Sequence, residues 1–205
     1  MKIVGIAGSP RKNGATSRLL DITLKEIKAL NAQVDVDRVD LVDMKITACT
    51  GCDACLKTDC PLDKDDDYPK IVAKLLQADG IIVASPVYFA NVPGILKNFI
   101  DRSRRMKMNR NQLKNKWFGT IVASGLRNGG AETVSMLLAT WALSQGMLPV
   151  SSMGNSVIEN PLVITTLQKA LKEFRKPTEE DDIGDKAAKR LAERMVELLG
   201  MTKPK

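Results

Sequence analysis

All four cysteines of this 205-residue chain lie in one short segment, residues 48–61, with the sequence ACTGCDACLKTDCP. A structural zinc site usually pairs two C-x2-C turns across a gap of about a dozen or more residues, and this segment has no such gap. Three thiols at successive three-residue steps let one loop cover one face of an iron–sulfur cubane, as in the bacterial pattern C-x2-C-x2-C-x3-C-P. The spacing here is C-x2-C-x2-C-x4-C followed by proline. We therefore expect a [4Fe-4S] cluster, and the four predicted ligands are Cys49, Cys52, Cys55 and Cys60.

Two other uses of the cysteine segment stay open at this point: a zinc ion, or free thiols that form a redox disulfide. The chain has no further cysteines for a second cluster, so Cys60 is expected to close the same site. Thr50 and Gly51 suit the tight bends and the sulfur-directed N–H groups that such a loop needs.

Composition narrows the kind of protein. A length of 205 residues with 44% hydrophobic residues fits a single domain, residues 1–205, with a full core. No stretch approaches the roughly 18 apolar residues of a membrane span, and the start turns polar too early for a signal peptide. We expect a cytoplasmic protein, where reducing conditions disfavour a structural disulfide. With no histidine in the chain, imidazole bases and ligands are excluded, and catalysis is expected from a cofactor.

The formal net charge is +7, and one run of the sequence is especially basic. A solvated helix and loop is the ordinary explanation for such a run. Docking of an acidic redox partner or cofactor is a second possibility, and nucleic-acid binding, which we do not expect, is a third. The basic residues of this run are Arg102, Arg104, Arg105, Lys107, Arg110, Lys114 and Lys116.

The first motif after the N-terminus is an apolar run, KIVGIAG, which predicts a buried parallel strand. GSPRKNGATS follows and leads into a predicted helix over residues 16–30, with Thr16 or Ser17 as N-cap. Free N–H groups at a helix N-terminus favour an anion such as phosphate, and Arg11 adds positive charge. A simple strand-to-helix turn is the alternative. The segment is neither G-x-G-x-x-G nor a Walker A sequence.

Four more strands are predicted, over residues 34–42, 80–85 and 117–124 and in GMLPVSS, with helices between them. Asp63 and Asp65 to Asp67 are interpreted as the start of one of these helices, since a calcium site would lack the EF-hand spacing. Near the C-terminus we predict two helices, about 162–174 and 183–199, as a helical extension at about 160–205. Strand, loop and helix repeated five times predict an open α/β sheet with right-handed crossovers.

The loops after four of these strands carry the candidate site residues. PVYFANVPG places Tyr88 and Phe89 in a turn, which suits a planar ligand, although core packing is the alternative. Glycines in GLRNGG permit close approach of the backbone to a ligand. Because the carboxyl ends of parallel strands share one edge of a sheet, we expect these loops, GSPRKNGATS and the cysteine segment to meet at one site.

With these motifs the chain resembles the iron–sulfur flavoproteins, a branch of the flavodoxin-like, NAD(P)H-dependent FMN reductase superfamily, over roughly residues 1–150. The resemblance implies an α/β fold with a flavodoxin-like five-stranded parallel sheet and helices on both faces. It also implies that GSPRKNGATS holds the FMN phosphate, that SPVYFANVPG carries the isoalloxazine ring and that SGLRNGG forms a third flavin loop. The implied FMN-binding residues are Ser9, Arg11, Asn13, Gly14, Ala15, Thr16, Pro86, Val87, Tyr88, Phe89, Asn91, Ser124, Gly125, Gly129 and Gly130.

The function implied by the resemblance is electron transfer. A [4Fe-4S] cluster passes single electrons and FMN stores one or two, so the pair joins a one-electron donor, such as a ferredoxin, to a two-electron acceptor. The alternative is an NAD(P)H-dependent FMN or quinone reductase whose cysteines hold zinc or nothing. A sensor or nucleic-acid binder that uses its cluster as a switch is a third possibility, but no helix-turn-helix or similar module is present. Relatives are dimers or tetramers with both cofactors near subunit interfaces, so a homodimer or homotetramer is expected, without a membrane partner.

Overall fold

A computed structural model of the chain describes residues 1–153 and 159–201. Its centre is a parallel sheet with the strand order β2-β1-β3-β4-β5. This order is the flavodoxin-like one, so the predicted fold is confirmed. The strands are β1 (Lys2–Ala7), β2 (Asp35–Asp40), β3 (Gly80–Pro86), β4 (Trp117–Ser124) and β5 (Leu148–Val150).

Six α-helices accompany the sheet in the described part of the chain. They are α1 (Ala15–Leu30), α2 (Tyr68–Gln77), α3 (Gly94–Arg102), α4 (Arg104–Met108), α5 (Ala131–Ser144) and α6 (Asp182–Met201). On one face of the sheet α1 and α6 pack through residues such as Leu20 and Leu191. On the other face α2, α3 and α5 pack through Leu75, Phe99 and Leu138. Both faces are therefore covered, which explains why β1 and β3 are almost continuous apolar runs.

The edge of the sheet beside β4 differs from the prediction. The short strand β5 pairs only with the first part of β4, Trp117 to Gly119. A further strand, β6 (Val163–Thr166), pairs in parallel with the last part of β4, Ile121 to Ser124. Two separate segments thus share the position of the fifth strand.

The predicted helix at 162–174 is wrong. The segment Val163–Thr166 consists entirely of β-branched residues, which favour a strand, and it completes the open edge of β4. The strands β7 (Gln168–Ala170) and β8 (Glu173–Phe174) then form a small antiparallel hairpin. The second predicted helix, 183–199, is present as α6, while residues 202–205 of the expected extension lie outside the described residues.

No helix in residues 1–153 and 159–201 is long and apolar enough to cross a membrane.

Candidate functional site

A pocket of about 220 Å³ lies at the carboxyl ends of β1, β3 and β4. Loops that follow all three strands contribute to its walls, as expected for ligand sites in open α/β sheets. The lining residues are Ser9, Arg11, Gly14, Ala15, Thr16, Pro86, Val87, Tyr88, Ala123, Ser124, Gly125, Leu167 and Pro177.

The loop between β1 and α1 forms the first wall of this pocket. Its backbone turns at Gly8, whose N–H donates to Ala84 O at 2.8 Å. A Cβ atom at residue 8 would lie 2.6 Å from a Leu96 methyl carbon and 3.0 Å from Ala84 O, so the close approach to β3 requires glycine. The hydroxyl of Ser9 then accepts a hydrogen bond from the Arg11 N–H at 3.0 Å, which shapes the following turn.

Helix α1 begins one residue earlier than predicted, and its N-cap is Gly14, not Thr16 or Ser17. Both of those side chains are buried in the first turn. No side chain among the described residues caps this helix. Its first N–H groups are therefore free to bind an anion in the pocket, and Arg11 lies beside them.

The segment 86–93, which starts at the last residue of β3, forms the second wall. The Val87 N–H donates to Ala123 O at 2.9 Å, and Tyr88 and Asn91 exchange two backbone hydrogen bonds. Phe89 and Ala90, between them, have positive φ angles of 49° and 57°. Tyr88 is 42% exposed and Phe89 fully exposed, so the alternative that both pack in the core is wrong.

The loop after β4 forms the third wall through Ser124 and Gly125. The Ser124 hydroxyl donates to Leu126 O at 2.9 Å and tightens the turn. Gly130 does not line the pocket but is the N-cap of α5, with φ of 94°. A Cβ atom on Gly130 would lie 3.1 Å from Ala90, so the second and third loops pack directly against each other.

Ten of the fifteen predicted FMN-binding residues line this pocket, and Asn13, Phe89, Asn91, Gly129 and Gly130 do not. Asn13 borders a neighbouring pocket instead. The Asn91 side chain accepts a hydrogen bond from the Val92 N–H and so supports its own loop.

Three lining residues were missed from the sequence: Ala123, Leu167 and Pro177. Leu167 and Pro177 lie beyond the repeating strand–loop–helix pattern: Leu167 is inside the segment 162–174 that was expected to be helical, and Pro177 follows it. They reach the pocket because β6 pairs with β4, and the Leu167 N–H donates to Ser124 O at 2.9 Å.

The cysteine loop, residues 48–61, does not contribute to this pocket. The chain leaves β2 through a short helical turn, Leu41–Asp43, and runs towards α3. There the Asn98 amide donates to Ile46 O at 3.3 Å. The expectation that all four loops meet at one site is therefore wrong for the cysteine loop within one chain.

The thiols of the cysteine loop are free, with Cys49 and Cys52 exposed and Cys55 and Cys60 half-buried. Sharp bends occur at Gly51 and Asp53, whose φ angles are 68° and 59°. The N–H of Ala54, followed by the Thr50 hydroxyl, lowers the pKa of the Cys52 thiol. Four thiols in one bent loop suit an iron–sulfur cluster in number and chemistry. No three Cys, Asp or Glu residues in the described ranges are already gathered as a metal-binding group, so the ligand set stays a prediction.

The basic run after α3 has a structural role that the sequence analysis missed. Arg102 is 1% exposed at its side chain and forms ion pairs with Asp63 and Asp66, at 2.6 and 2.5 Å. Arg104 pairs with Asp53, and Arg105 pairs with Asp63. The description of the run as solvated surface is therefore wrong for Arg102 and Arg105, whereas Arg104 forms an exposed ion pair. They attach the cysteine loop and its flanks to α3 and α4.

The acidic stretch before α2 was interpreted as helix capping, and this explains only part of it. Asp66 does accept a hydrogen bond from the Tyr68 N–H at 3.1 Å at the start of α2. Its other oxygen accepts from Arg102 and from the Thr47 N–H. Burial raises the pKa of the Asp66 carboxyl, but these hydrogen bonds, led by Arg102, outweigh burial and hold the pKa below its ordinary value of 3.8.

Comparisons with known proteins identify the family. Residues 1–158 match the family model of NADPH-dependent FMN reductases. An iron–sulfur flavoprotein of Archaeoglobus fulgidus is 43% identical over 206 residues, covering 99% of this chain and 98% of that protein. The chain belongs to the iron–sulfur flavoprotein family. An iron–sulfur flavoprotein of Methanocaldococcus jannaschii is 33% identical over 204 residues, 99% of this chain and 100% of that protein.

Solved structures support the fold. A crystal structure of RosB with a bound riboflavin-phosphate intermediate has a TM-score of 0.72 at 13% identity. The match covers 98% of this chain and 79% of the RosB chain. An NADH:FMN oxidoreductase, EMOB, has a TM-score of 0.63 at 21% identity. The match covers 96% of this chain and 89% of that chain. These identities are low, so the likeness concerns the fold alone. As a member of its family the chain is a flavin-dependent oxidoreductase with FMN as the expected flavin.

The ion pair between Asp66 and Arg102 predicts how the stability of the protein changes at acid pH. Because the folded-state pKa lies below 3.8, the pair stabilises the protein above that pH and loses its effect as the pH falls through the folded pKa. Asp66→Asn should lower the free energy of unfolding by about 3 kcal/mol at about pH 7, since it leaves Arg102 buried with one partner fewer.

The difference between wild type and Asp66→Asn should shrink below about pH 4, as measured by urea denaturation across the pH range. Asp65→Asn, at an exposed neighbouring position, is the control and should change stability little. A difference that stays constant into acid would contradict the assignment.

Proposed function

We propose that the protein binds FMN in the pocket at the ends of β1, β3 and β4, binds a [4Fe-4S] cluster through Cys49, Cys52, Cys55 and Cys60, and carries electrons between a one-electron donor and a two-electron acceptor. The observation that supports this most is the combination of an uncapped helix N-terminus in the pocket with four thiols on a separate, ion-paired loop. When bound, FMN accepts one or two electrons and the cluster passes them singly.

In this proposal the chain's own residues orient FMN. The first N–H groups of α1 and the guanidinium of Arg11 bind the phosphate, because both are positively polarised and open to the pocket. Pro86, Val87 and Tyr88 provide a wall of apolar and aromatic surface for the ring system. Ser124 and Gly125 line the pocket from the end of β4. The cofactor-binding residues that do not line the pocket stay predictions from the resemblance.

Arg11 and Lys12 offer a matched test of the phosphate site. They are adjacent cations, but Arg11 lines the pocket while Lys12 pairs with Asp43 and borders the neighbouring pocket. Arg11→Gln should raise the dissociation constant of FMN about tenfold, since a hydrogen bond to a charged group contributes about 1.5 kcal/mol. Lys12→Gln should leave it nearly unchanged. Equal effects of both variants in a fluorescence titration with FMN would show that only general charge matters.

The cluster is tested by composition. Protein purified without oxygen should contain FMN with about four iron and four acid-labile sulfide per chain, and its spectrum should show broad absorption beneath the flavin bands. Cys60→Ser should lose the iron and sulfide but keep FMN, because the cysteine loop lies outside the flavin pocket. Zinc in place of iron, or FMN in a wild-type protein without iron, would contradict the cluster.

The alternative function is an NAD(P)H-dependent FMN or quinone reductase without a cluster. It is favoured by the match of residues 1–158 to NADPH-dependent FMN reductases. Mixing the protein with NADPH under anaerobic conditions distinguishes the two functions. Rapid bleaching of the flavin would favour this alternative, and a flavin that stays oxidised would favour electron transfer through the cluster.

The proposed donor is a ferredoxin-like protein, and one surface suits it. Leu56 and Met108 are exposed apolar side chains that line one depression together with Cys55. Lys57 also lines this depression, and Lys107 and Arg110 are close to Met108 in the chain. Within the described ranges these three cations form no ion pair with a carboxylate, whereas Asp59 in the depression pairs with Arg105. Such a surface attracts an acidic partner and brings it close to a predicted cluster ligand.

This docking surface predicts a dependence on salt. The second-order rate of reduction by an acidic ferredoxin should fall as sodium chloride is raised, because exposed charges are screened over about 10 Å at 0.1 M salt. Lys57→Gln should reduce both the rate and its salt dependence. Lys25→Gln, an exposed lysine on α1 at the other face of the sheet, is the control and should change neither. A rate that is insensitive to salt would place the donor elsewhere.

The homodimer or homotetramer and the cytoplasmic location also stay proposals. The exposed side chains Phe89, Leu126, Leu171 and Phe174 provide apolar surface for contact with another copy of the chain. A cytoplasmic location fits thiols that are free of disulfides.

A further inference from the structure

The segments that flank the cysteine loop, residues 45–47 and 66–67, are joined to each other by hydrogen bonds within the protein. The Lys45 N–H donates to the Asp67 carboxylate at 3.0 Å, and the Asp67 N–H donates back to Lys45 O at 2.8 Å. One residue pair further along, the Thr47 N–H donates to the Asp66 carboxylate at 3.1 Å. The residues between these contacts therefore form a closed loop whose ends are fixed.

Helix α3 holds this closed end. Asn98 and Arg102 are four residues apart, so their side chains lie on one face of the helix. Asn98 donates to Ile46 O at 3.3 Å, and Arg102 donates to Thr47 O at 3.1 Å. The entry to the cysteine loop is thus attached to α3 at two successive carbonyls.

Arg102 also attaches the exit of the loop. Its two terminal nitrogens lie 2.6 Å from an Asp63 oxygen and 2.5 Å from an Asp66 oxygen, and its guanidinium carbon lies 4.7 Å from the centre of the Tyr68 ring. Asp66 is fully buried and Asp63 is 13% exposed at the side chain. Burying such a group is costly, and hydrophobic residues of similar size are often at least as stabilising. Its use here is better explained by the arrangement that it specifies than by stability alone.

We propose that Arg102 is a positioning residue for the cysteine loop: it fixes the entry at Thr47 and the exit at Asp63 and Asp66 on α3 in the absence of metal, so that the thiols are presented on an already formed loop. The proposal deepens the function proposed above and rests on it for the identity of the cluster. The positioning itself concerns only residues of this chain.

The position of α3 gives this arrangement a further consequence. The helix begins at Gly94, directly after the loop whose residues Pro86 to Tyr88 line the flavin pocket. It ends at Arg102 and is nine residues long, which corresponds to a length of about 14 Å. One helix therefore follows the flavin-pocket loop at its start and contacts the cysteine loop at its end. Arg102 makes the ion pairs with the cysteine loop.

The test measures alkylation of the thiols with iodoacetamide in the full-length, FMN-loaded protein after iron has been removed with a chelator. Mass spectrometry of the peptides gives a rate for each cysteine. Arg102→Gln should increase labelling of the half-buried Cys55 and Cys60 at least about tenfold relative to wild type, a change of about 1.4 kcal/mol in the opening of the loop. Labelling of the exposed Cys49 and Cys52 should stay fast and unchanged.

Two further variants separate positioning from charge and from general stability. Lys114→Gln removes an exposed cation from the same basic run and should leave all four rates unchanged. Arg102→Lys keeps the charge but cannot hold two carboxylates and a carbonyl with one fork, so it should restore only part of the protection.

The double variant Arg102→Met with Asp66→Asn avoids leaving a buried charge without its partner, and it should unfold at a temperature near that of wild type. If Arg102 positions the loop, Cys55 and Cys60 are still exposed in this stable variant. Wild-type protection of Cys55 and Cys60 in the folded double variant would overturn the proposal.

Hydrogen exchange in the wild-type protein tests the same point without substitution. The amides of Thr47 and Asp67 should exchange slowly in the metal-free protein, because both donate within the closed end of the loop. Rapid exchange at these amides would overturn the positioning proposal. Slow exchange in a protein that never takes up iron would leave positioning intact and would contradict only the proposed cluster.

In protein that does hold iron and sulfide, the electron paramagnetic resonance spectrum of the reduced cluster provides a readout of position. Arg102→Gln should broaden the spectrum or shift its principal values, while the flavin absorbance stays as in wild type. A spectrum identical to wild type in Arg102→Gln would mean that the loop is positioned without this residue.

Discussion

Parallel pairing of β1, β3 and β4, with helices covering both faces, is the constraint on which the pocket proposed for FMN depends. Because the three strands run in one direction, their carboxyl ends reach the same edge, and the loops that follow them meet there. Each loop then contributes what its backbone allows. The first supplies the N-terminus of α1, the second turns back at Tyr88 and Asn91, and the third packs against the second through Gly130.

The cysteine loop is built on a different principle. None of residues 48–61 is fully buried, so hydrophobic packing contributes little to holding the loop, and ion pairs with α3 and α4 take that role. Arg102, Arg104 and Arg105 pair with Asp66, Asp53 and Asp63 respectively. Much of the apparent positive charge of the basic run is thereby neutralised. Only the part of the run beyond these pairs, such as Arg110, remains exposed to attract an acidic partner.

Sequence patterns predicted the sheet and the pocket well because both follow from local signals. β4 was predicted with the bounds that the structure shows, 117–124, since its apolar run ends abruptly at glycine. The strand Val163–Thr166 was missed because its pairing with β4 is a long-range contact, and its spacing of apolar residues also fits a helix. Leu167 and Pro177 reach the pocket only as a consequence of that pairing.

The ion pairs of the cysteine loop were missed for a related reason. Asp66 and Arg102 are separated by 36 residues, and each has an adequate local explanation, the first as a helix-capping residue and the second as an exposed cation. Only the structure shows that both side chains are buried together. Segment 59–67 is mainly acidic and segment 101–107 is mainly basic, and this pair of dense, opposite charges is the sequence signal for such pairing.

The central claim is that electrons reach FMN through the cysteine loop. The most direct measurement mixes the FMN-loaded protein with a reduced, low-potential ferredoxin without oxygen and follows the flavin absorbance by stopped flow, in wild type and in iron-free Cys60→Ser. Electron transfer through a cluster predicts that flavin reduction is at least about tenfold slower in Cys60→Ser. Equal rates in the two proteins would contradict the claim and show that the donor reduces the flavin directly.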